Sequence, residues 1–348
     1  MKILGIVGAT GAVGQTLLEI IEHTENKFEK IKLFASKSSA RKIVTIGKMK
    51  VSIEETNLNS LLECDAVIFA TDSAISKEFI PQLAEKGILC IDKSSAFRDH
   101  PNVPLVVPEV NGSLLLEKDF KTFPVVASPN CCTIPLTMVL KALDDKFGVT
   151  KTIVSTYQSV SGAGKLGVDV LTEETKHFFN AHDLSCQKST VFPKSIAFNV
   201  MPFVASILDN GDTDEESKIM FETKKVLGKP NFAIAATSVR VPTFVGHGES
   251  VTLELDKQFN VIEIIETLSK FPGLCVVDEK KPQDDDEDVL FESFVTPREA
   301  HGRDEVFVSR IRRCEVFENG LSLWIVSDNL RKGAALNAWQ ILQHYIAG

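Results

Sequence analysis

The chain opens on a short apolar run, Lys2-Ile3-Leu4-Gly5-Ile6-Val7, which gives way to a glycine-rich turn and then to Val13, Leu17, Leu18 and Ile21 at helical spacing. This pattern predicts strand, turn and helix. Ile31-Lys32-Leu33-Phe34-Ala35 and Ala66-Val67-Ile68-Phe69-Ala70 are near-continuous apolar runs, of the kind that parallel sheets bury on both faces. A helix from about Lys77 to Lys86 and a strand at Ile88-Leu89-Cys90-Ile91 continue the alternation, which predicts a doubly wound α/β sheet. Beyond about residue 130 the strand candidates take on period-two character, as in Val251-Thr252-Leu253-Glu254-Leu255 and Ser322-Leu323-Trp324-Ile325-Val326, with helices interleaved. That change predicts an α+β second domain. The last segment, Gly333 to Ile346, repeats apolar residues at 335, 336, 339, 342 and 346 and reads as an amphipathic helix.

Composition narrows the classes open to such a chain. With 348 residues, 44% hydrophobic and 24% charged, it is in the ordinary globular range and long enough for two domains. A net charge of -9 provides no basic field for a polyanion, so nucleic acid is excluded as a partner. Seven cysteines, odd in number and without metal-ligand spacing, read as thiols in a reducing compartment, and no metal is expected. The chain has no apolar span of about 20 residues and no charged leader with an apolar core, so a cytoplasmic protein without membrane contact is expected. The acidic run Asp284-Asp285-Asp286-Glu287-Asp288 is expected in a solvated loop, because packed carboxylates repel one another.

Two stretches carry candidate chemistry. Gly8-Ala9-Thr10-Gly11-Ala12-Val13-Gly14 stands between a strand and a helix, where backbone N–H groups and the helix N-terminus can approach a pyrophosphate. The second strand ends in Ser36-Lys37-Ser38-Ser39-Ala40-Arg41, with no acid for a ribose 2′-hydroxyl but with hydroxyls and cations suited to a 2′-phosphate, so NADP is expected over NAD. Further on, Ser128-Pro129-Asn130-Cys131-Cys132-Thr133-Ile134-Pro135 precedes apolar residues at helical spacing, and Pro135 fits only a first helical turn. The two thiols therefore lie near a helix N-terminus, which favours thiolate. His247, in Arg240-Val241-Pro242-Thr243-Phe244-Val245-Gly246-His247-Gly248-Glu249, is the best candidate for a base, and Arg240 offers a forked cation for a carboxylate. The other histidines, His23, His100, His177, His182, His301 and His344, read as solvated, and Cys64, Cys90, Cys186, Cys275 and Cys314 as ordinary buried thiols.

The glycine loop, the Ser128-to-Thr133 stretch, Tyr157-Gln158-Ser159-Val160-Ser161-Gly162-Ala163-Gly164 and the Arg240-to-His247 segment occur together in an order that resembles aspartate-semialdehyde dehydrogenase, over residue 3 to the final helix. The resemblance implies a glyceraldehyde-3-phosphate dehydrogenase-like architecture. A Rossmann-type NADP-binding domain would span residues 1–130 and be completed by a C-terminal helix, 329–348. An α+β catalytic and dimerisation domain would span 131–328, and the assembly would be a homodimer. The reaction it implies is NADPH-dependent reductive dephosphorylation of L-4-aspartyl phosphate to L-aspartate 4-semialdehyde and phosphate, on the route to lysine, threonine and methionine.

The same resemblance distributes roles among the residues. Cys131 would be the nucleophile that forms a thioester, His247 the acid/base and Gln158 the amide that orients the substrate. Arg240 would pair with the α-carboxylate and Glu222 with the amino group, while Arg98, Asn130 and Lys225 would hold the phosphate. Gly8, Thr10, Gly11, Ala12, Val13, Ser36, Ser39, Thr71, Ser161, Gly162 and Asn329 would contact NADP(H), Asn329 near the nicotinamide. The family's usual hydroxylated residue after the nucleophile is Cys132 here, which opens the question of which thiol reacts. Two related enzymes share the fold order and cysteine chemistry. N-acetyl-glutamyl-phosphate reductase typically has glycine before its thiol and an aromatic after it, and the Ser-Cys-Thr-Thr neighbourhood of glyceraldehyde-3-phosphate dehydrogenase is not reproduced. A non-catalytic dinucleotide-binding redox sensor would leave Gln158, Arg240 and His247 without a purpose.

Overall fold

A computed structural model describes residues 2–24, 28–47, 49–116, 123–181, 189, 191–277 and 293–347. The acidic run 284–288, His182 and Cys186 lie outside the described residues. The chain divides into two compact units, residues 1–130 together with 333–348, and residues 131–332.

The first unit is built on a seven-stranded sheet of β1 (Ile3–Val7), β2 (Lys30–Ala35), β3 (Ile43–Ile46), β4 (Met49–Glu55), β5 (Ala66–Phe69), β6 (Leu89–Asp92) and β7 (Val125–Ala127), in the order β3-β4-β2-β1-β5-β6-β7. All its pairings are parallel except β3 with β4. From β1 the chain builds to one side through β2 and β4, then returns to the other side of β1 with β5, so the order reverses between β1 and β5. Open α/β sheets bind ligands at this point, beyond the carboxyl ends of the strands. Helix α1 (Ala12–His23) turns Leu17, Leu18 and Ile21 into the core, and α2 (Ser73–Ala84) begins four residues earlier than its apolar pattern suggests, because Asp72 caps the N–H groups of Ala74 and Ile75.

The final helix, α7 (Leu336–Ala347), belongs to this same unit. Its Trp339, Ile341 and Leu342 join the core that β1, β2 and α1 supply. The Asn337 side-chain amide donates to Val106 O and to Ser128 Oγ, both at 3.0 Å. The first unit resumes at Gly333 rather than at 329, since Asn329 bonds within the second unit.

The second unit carries a six-stranded mixed sheet of β8 (Val149–Gln158), β9 (Ala233–Arg240), β10 (His247–Leu255), β11 (Leu274–Val276), β12 (Val306–Cys314) and β13 (Gly320–Ser327), in the order β11-β12-β13-β10-β8-β9. Its longer helices are α3 (Thr133–Phe147), α4 (Gly164–Ala181), α5 (Asp214–Leu227) and α6 (Val261–Ser269). Along β10 the pattern alternates from Glu249 onward: Glu249, Val251, Leu253 and Leu255 are buried, as are His247 and Gly248 before them, while Ser250 is exposed and Thr252 and Glu254 are half-buried. On β8 the buried set includes Thr152, Val154, Thr156 and Gln158, which faces the same way. Helix α3 packs on β8, β10 and β13, so the carboxyl end of β8, the start of β10 and the N-terminus of α3 bring their polar residues together.

Candidate active site

In the first unit the loop after β1 is shaped for close approach of a ligand to backbone. Gly8 has φ +84, and a Cβ there would stand 2.2 Å from Ala70 O; one on Gly14 would stand 2.2 Å from Gly8 O. Glycine is therefore required at both positions, at Gly8 for conformation and space and at Gly14 for space. Gly11 is the N-cap of α1 and supplies no side-chain acceptor, which leaves the first helical N–H groups to an anion. Thr71 lies beside this loop, its Cβ 3.4 Å from where a Gly8 side chain would begin. Thr10, Ala12 and Val13 belong to the same loop and first turn. After β2, Ser36 O accepts from the N–H groups of Ser39 and Ala40 in a tight turn, and Ser36, Lys37, Ser38 and Arg41 are exposed. Backbone amides, a helix dipole and a cationic hydroxylated turn suit a phosphorylated dinucleotide. Arg98, also in this unit, is 8% exposed and donates to Lys93 O at 2.8 Å, and Asn130 is the unit's last residue before the chain crosses to Cys131.

In the second unit Cys132 is the N-cap of α3 and Cys131 precedes it. Cys131 is half-buried, whereas Cys132 is wholly buried. Burial, a hydrogen bond to Cys131 and the charge of Cys131 together push the Cys132 thiol well above the usual thiol range. Cys132 thus stays a neutral S–H that supports the sulfur of its neighbour, and Cys131 is the thiol open to a substrate. Cys64, by contrast, is pushed up to about 11 by burial, as an inert core thiol should be. Cys90 is buried too, while Cys275 and Cys314 are half-buried.

His247 is 1% exposed at the head of β10. One of its ring nitrogens and the sulfurs of Cys131 and Cys132 all lie within 4.8 Å of one another. The backbone N–H of Ser159 donates to Nδ1 at 3.1 Å. A backbone amide can only donate, so the neutral ring carries its proton on Nε2, which has no partner among the described residues. Ser159 Oγ is also 3.1 Å from Nδ1 and donates to Asn329 Oδ1 at 3.3 Å. The same Asn329 oxygen accepts from Gly246 N at 2.9 Å, and Asn329 Nδ2 donates to Ser161 Oγ at 3.0 Å. Asn329 therefore fastens the 159–161 turn and the residue before His247 into one arrangement.

The polar groups around this pair converge. Gln158 Nε2 donates to Glu215 Oε1 at 3.0 Å and to Thr156 Oγ1 at 3.2 Å. Arg240 Nη1 donates to Ser159 O at 2.7 Å. Burial pulls the Arg240 guanidinium down, while the charges of Glu215, Cys131 and Cys132 hold it up. Gly162 gives this cation and His247 room: a Cβ there would stand 2.9 Å from Arg240 Nη1 and 3.5 Å from His247 Nε2. Cys131, Gln158, Arg240, His247 and Gly162 are thus gathered as the sequence motifs suggest, but the acidic member is not the one expected. Glu222 and Lys225 lie seven residues further along α5 than Glu215 and Lys218, about 10 Å at 1.5 Å per residue. The side chain that meets Gln158 and Arg240 is Glu215, in the first turn of α5, where Thr213 and Glu216 form a capping box. That box, visible as Thr213-Asp214-Glu215-Glu216, was the available signal.

A parallel-sheet dinucleotide unit, joined to a mixed-sheet unit that holds a thiol and a histidine at a helix N-terminus, defines an oxidoreductase of the semialdehyde dehydrogenase class. Residues 3–117 match the family model "Semialdehyde dehydrogenase, NAD binding domain" and residues 140–332 match "Semialdehyde dehydrogenase, dimerisation domain". The chain belongs to the aspartate-semialdehyde dehydrogenase family. It is 41% identical to the aspartate-semialdehyde dehydrogenase of Aquifex aeolicus over 341 residues, 98% of this chain and 96% of that one. It is 38% identical to the one from Bacillus subtilis over 345 residues, 98% and 96% of the two chains. Among solved structures, aspartate semialdehyde dehydrogenase II from Vibrio cholerae, complexed with ASA, superposes with a TM-score of 0.92 at 33% identity, covering 100% of this chain and 98% of that one. The expected fold class, oxidoreductase activity and nicotinamide dinucleotide cofactor are borne out. Among the described residues, no helix is long and apolar enough to cross a membrane.

Proposed function

We propose that the chain reduces L-4-aspartyl phosphate to L-aspartate 4-semialdehyde and inorganic phosphate with NADPH, through a thioester on Cys131, on the route to lysine, threonine and methionine. The observation that carries this reading is the half-buried Cys131 sulfur, set at a helix N-terminus within 4.8 Å of Cys132 and of a His247 ring nitrogen, with Arg240 facing it. The Cys131 thiolate adds to the acyl carbon, the carbon–oxygen bond to phosphate breaks, and the thioester remains. NADPH, when bound, supplies the hydride that reduces this thioester. The carbon–sulfur bond then breaks, releasing the aldehyde and restoring the thiolate. The Nε2–H of His247 donates to the oxygen on which negative charge builds.

Substrate orientation follows from charge. Arg240 pairs with the α-carboxylate and Gln158 fixes the substrate's angle. The ammonium goes to Glu215 rather than Glu222, a choice supported by the bond between Glu215 and Gln158 and by its interaction with Arg240. Arg98 and Asn130 take the phosphate, with Lys218 in place of Lys225 because it stands to Glu215 as Lys225 stands to Glu222. Gly8, Thr10, Gly11, Ala12, Val13 and Thr71 hold the dinucleotide, with Ser36 and Ser39 on the 2′-phosphate; Ser161, Gly162 and Asn329 serve the nicotinamide end. NADP is preferred over NAD because the turn at 36–41 offers hydroxyls and cations and no acid. The enzyme works in the cytoplasm as a homodimer formed through the second unit, whose sheet exposes Ile153 and Tyr157 on β8.

The test is to supply semialdehyde, phosphate and NADP and follow NADPH. Turnover that disappears in Cys131→Ala supports the reading. Turnover only with the N-acetylglutamate analogue, or turnover that survives Cys131→Ala, overturns it.

A further inference from the structure

Asp92, at the carboxyl end of β6, is 0% exposed, and no step of the reaction touches it. A carboxylate withdrawn from water needs hydrogen-bond donors to offset its lost hydration, and this one has three. Oδ1 accepts from Ser76 Oγ at 2.8 Å and from Ser94 N–H at 2.9 Å, and Oδ2 accepts from Ser94 Oγ at 2.9 Å. The Ser94 hydroxyl oxygen in turn accepts from Ala96 N–H at 3.1 Å.

The stretch that follows is Lys93-Ser94-Ser95-Ala96-Phe97-Arg98. The peptide unit between Lys93 and Ser94 is planar and trans, so its N–H and its C=O point to opposite sides as one rigid piece. The N–H is held by the Asp92 carboxylate, and the C=O accepts from Arg98 Nη2 at 2.8 Å. Carboxylate and guanidinium grip the two ends of one plane, and turning that plane moves the anchor of the cation. The same stretch is tied to β5 by Lys93 N–H, which donates to Phe69 O at 3.0 Å, and to α2 by Ser95 Oγ, 3.0 Å from Ser73 Oγ. The main chain of Asp92 also steadies the approach to Asn130: Ser128 N–H, two residues before it, donates to Asp92 O at 2.8 Å.

We propose that Asp92 is a positioning residue for the phosphate group of the substrate, acting through Ser94 and the 93–94 peptide on Arg98. This rests on Arg98 holding the phosphate. An arginine on a long stem gives up rotamer freedom when it binds an anion, and anchoring it beforehand reduces that cost. Its guanidinium is a rigid planar fork, so fixing one arm on Lys93 O fixes the direction of the others. The two charges also support each other across the bridging peptide. Burial pushes the Asp92 carboxyl up, while its bonds to Ser76 and Ser94 and the charge of Arg98 pull it back.

The experiment is steady-state kinetics in the phosphorylating direction, with semialdehyde, NADP and inorganic phosphate varied in turn. In Asp92→Asn, which keeps the size of the side chain but turns one acceptor into a donor, the KM for phosphate should rise about tenfold or more. kcat and the KM values for semialdehyde and NADP should stay within about threefold. In an Arg98→Ala background the same substitution should change the phosphate KM by less than about twofold, because the group it positions is gone. Ser94→Ala and Ser76→Ala decide the matter independently of whether the asparagine variant folds. Each removes one hydrogen bond from the same carboxylate, but only Ser94 leads to Arg98, so Ser94→Ala should raise the phosphate KM about threefold or more and Ser76→Ala should not. An unchanged phosphate KM in Asp92→Asn or Ser94→Ala, a loss spread equally over all three substrates, or an equal rise in the Arg98→Ala background overturns the proposal. An unchanged phosphate KM in Arg98→Ala alone would instead refute the reading that Arg98 holds the phosphate, and the proposal with it.

Discussion

Replacing Gly162 by alanine separates the geometry of the site from the stability of the fold. Gly162 is not among the glycines held at positive φ, so alanine suits its backbone. The added Cβ would stand 2.9 Å from Arg240 Nη1, 3.5 Å from His247 Nε2 and 3.6 Å from its Cε1. Carbon–nitrogen contacts settle at about 3.5 Å, so the guanidinium must retreat by roughly 0.5 Å. Because the obstacle is the end of a flexible side chain, the loss of folding stability should not exceed about 3 kcal/mol, the contribution of one charged hydrogen bond. The hydrogen bond from Arg240 to Ser159 O, 2.7 Å long, is the one the retreat disturbs. Hydrogen bonds of charged groups contribute about 1.5–3 kcal/mol. Losing one that also aims the cation at the substrate should lower kcat/KM by about 10- to 150-fold, at about 1.4 kcal/mol per decade. Steady-state kinetics in semialdehyde, beside a denaturant titration, reads both quantities. A variant with kcat/KM within about twofold of wild type would show that Gly162 does not set the position of Arg240, and a large stability loss would show that the strain is in the backbone.

Asn329→Ala removes the acceptor for Gly246 N–H and should destabilise the second unit by about 1–3 kcal/mol, the cost of an unsatisfied buried donor. It should also slow turnover, because Ser159 and Gly246 both set the pose of His247; chemical denaturation and kcat check the two effects. Cys132→Ser replaces one neutral hydrogen-bond donor to Cys131 with another and should keep activity within a few-fold of wild type, whereas loss of turnover comparable with Cys131→Ala would make Cys132 a second essential thiol.

Local motifs carried most of what the sequence revealed. The glycine loop, the cysteine pair before Pro135 and the glycine-flanked His247 each declare themselves within a dozen residues, and all keep their expected elements. The acidic partner did not, for a reason of helical geometry. Glu215 and Glu222 are seven residues apart, and at about 100° per residue they differ by only about 20° around the axis. Both face inward, so periodicity cannot rank them; only the distance from the start of α5 does, and the start is marked by the capping box. The hairpin of β3 and β4 escaped notice because its residues are largely exposed, Ile43 at 68%, and so lack a buried stripe. Glu249 was visible only as a polar residue near His247. Its burial, and the absence of any partner for its carboxyl among the described residues, emerge once strand alternation is seen in three dimensions. Asn329 marks a boundary that a linear reading blurs, since the chain remains with the second unit through Lys332 and only then returns to the first.

The central claim is a covalent acyl group on Cys131. Incubating the enzyme with semialdehyde and NADP in the absence of phosphate runs the reaction backwards to the thioester and stops it there. The account predicts one NADPH per active site in a burst, with peptide mass spectrometry placing an aspartyl group on Cys131 and none on Cys132; a burst without that adduct, or an adduct on Cys132, would contradict it.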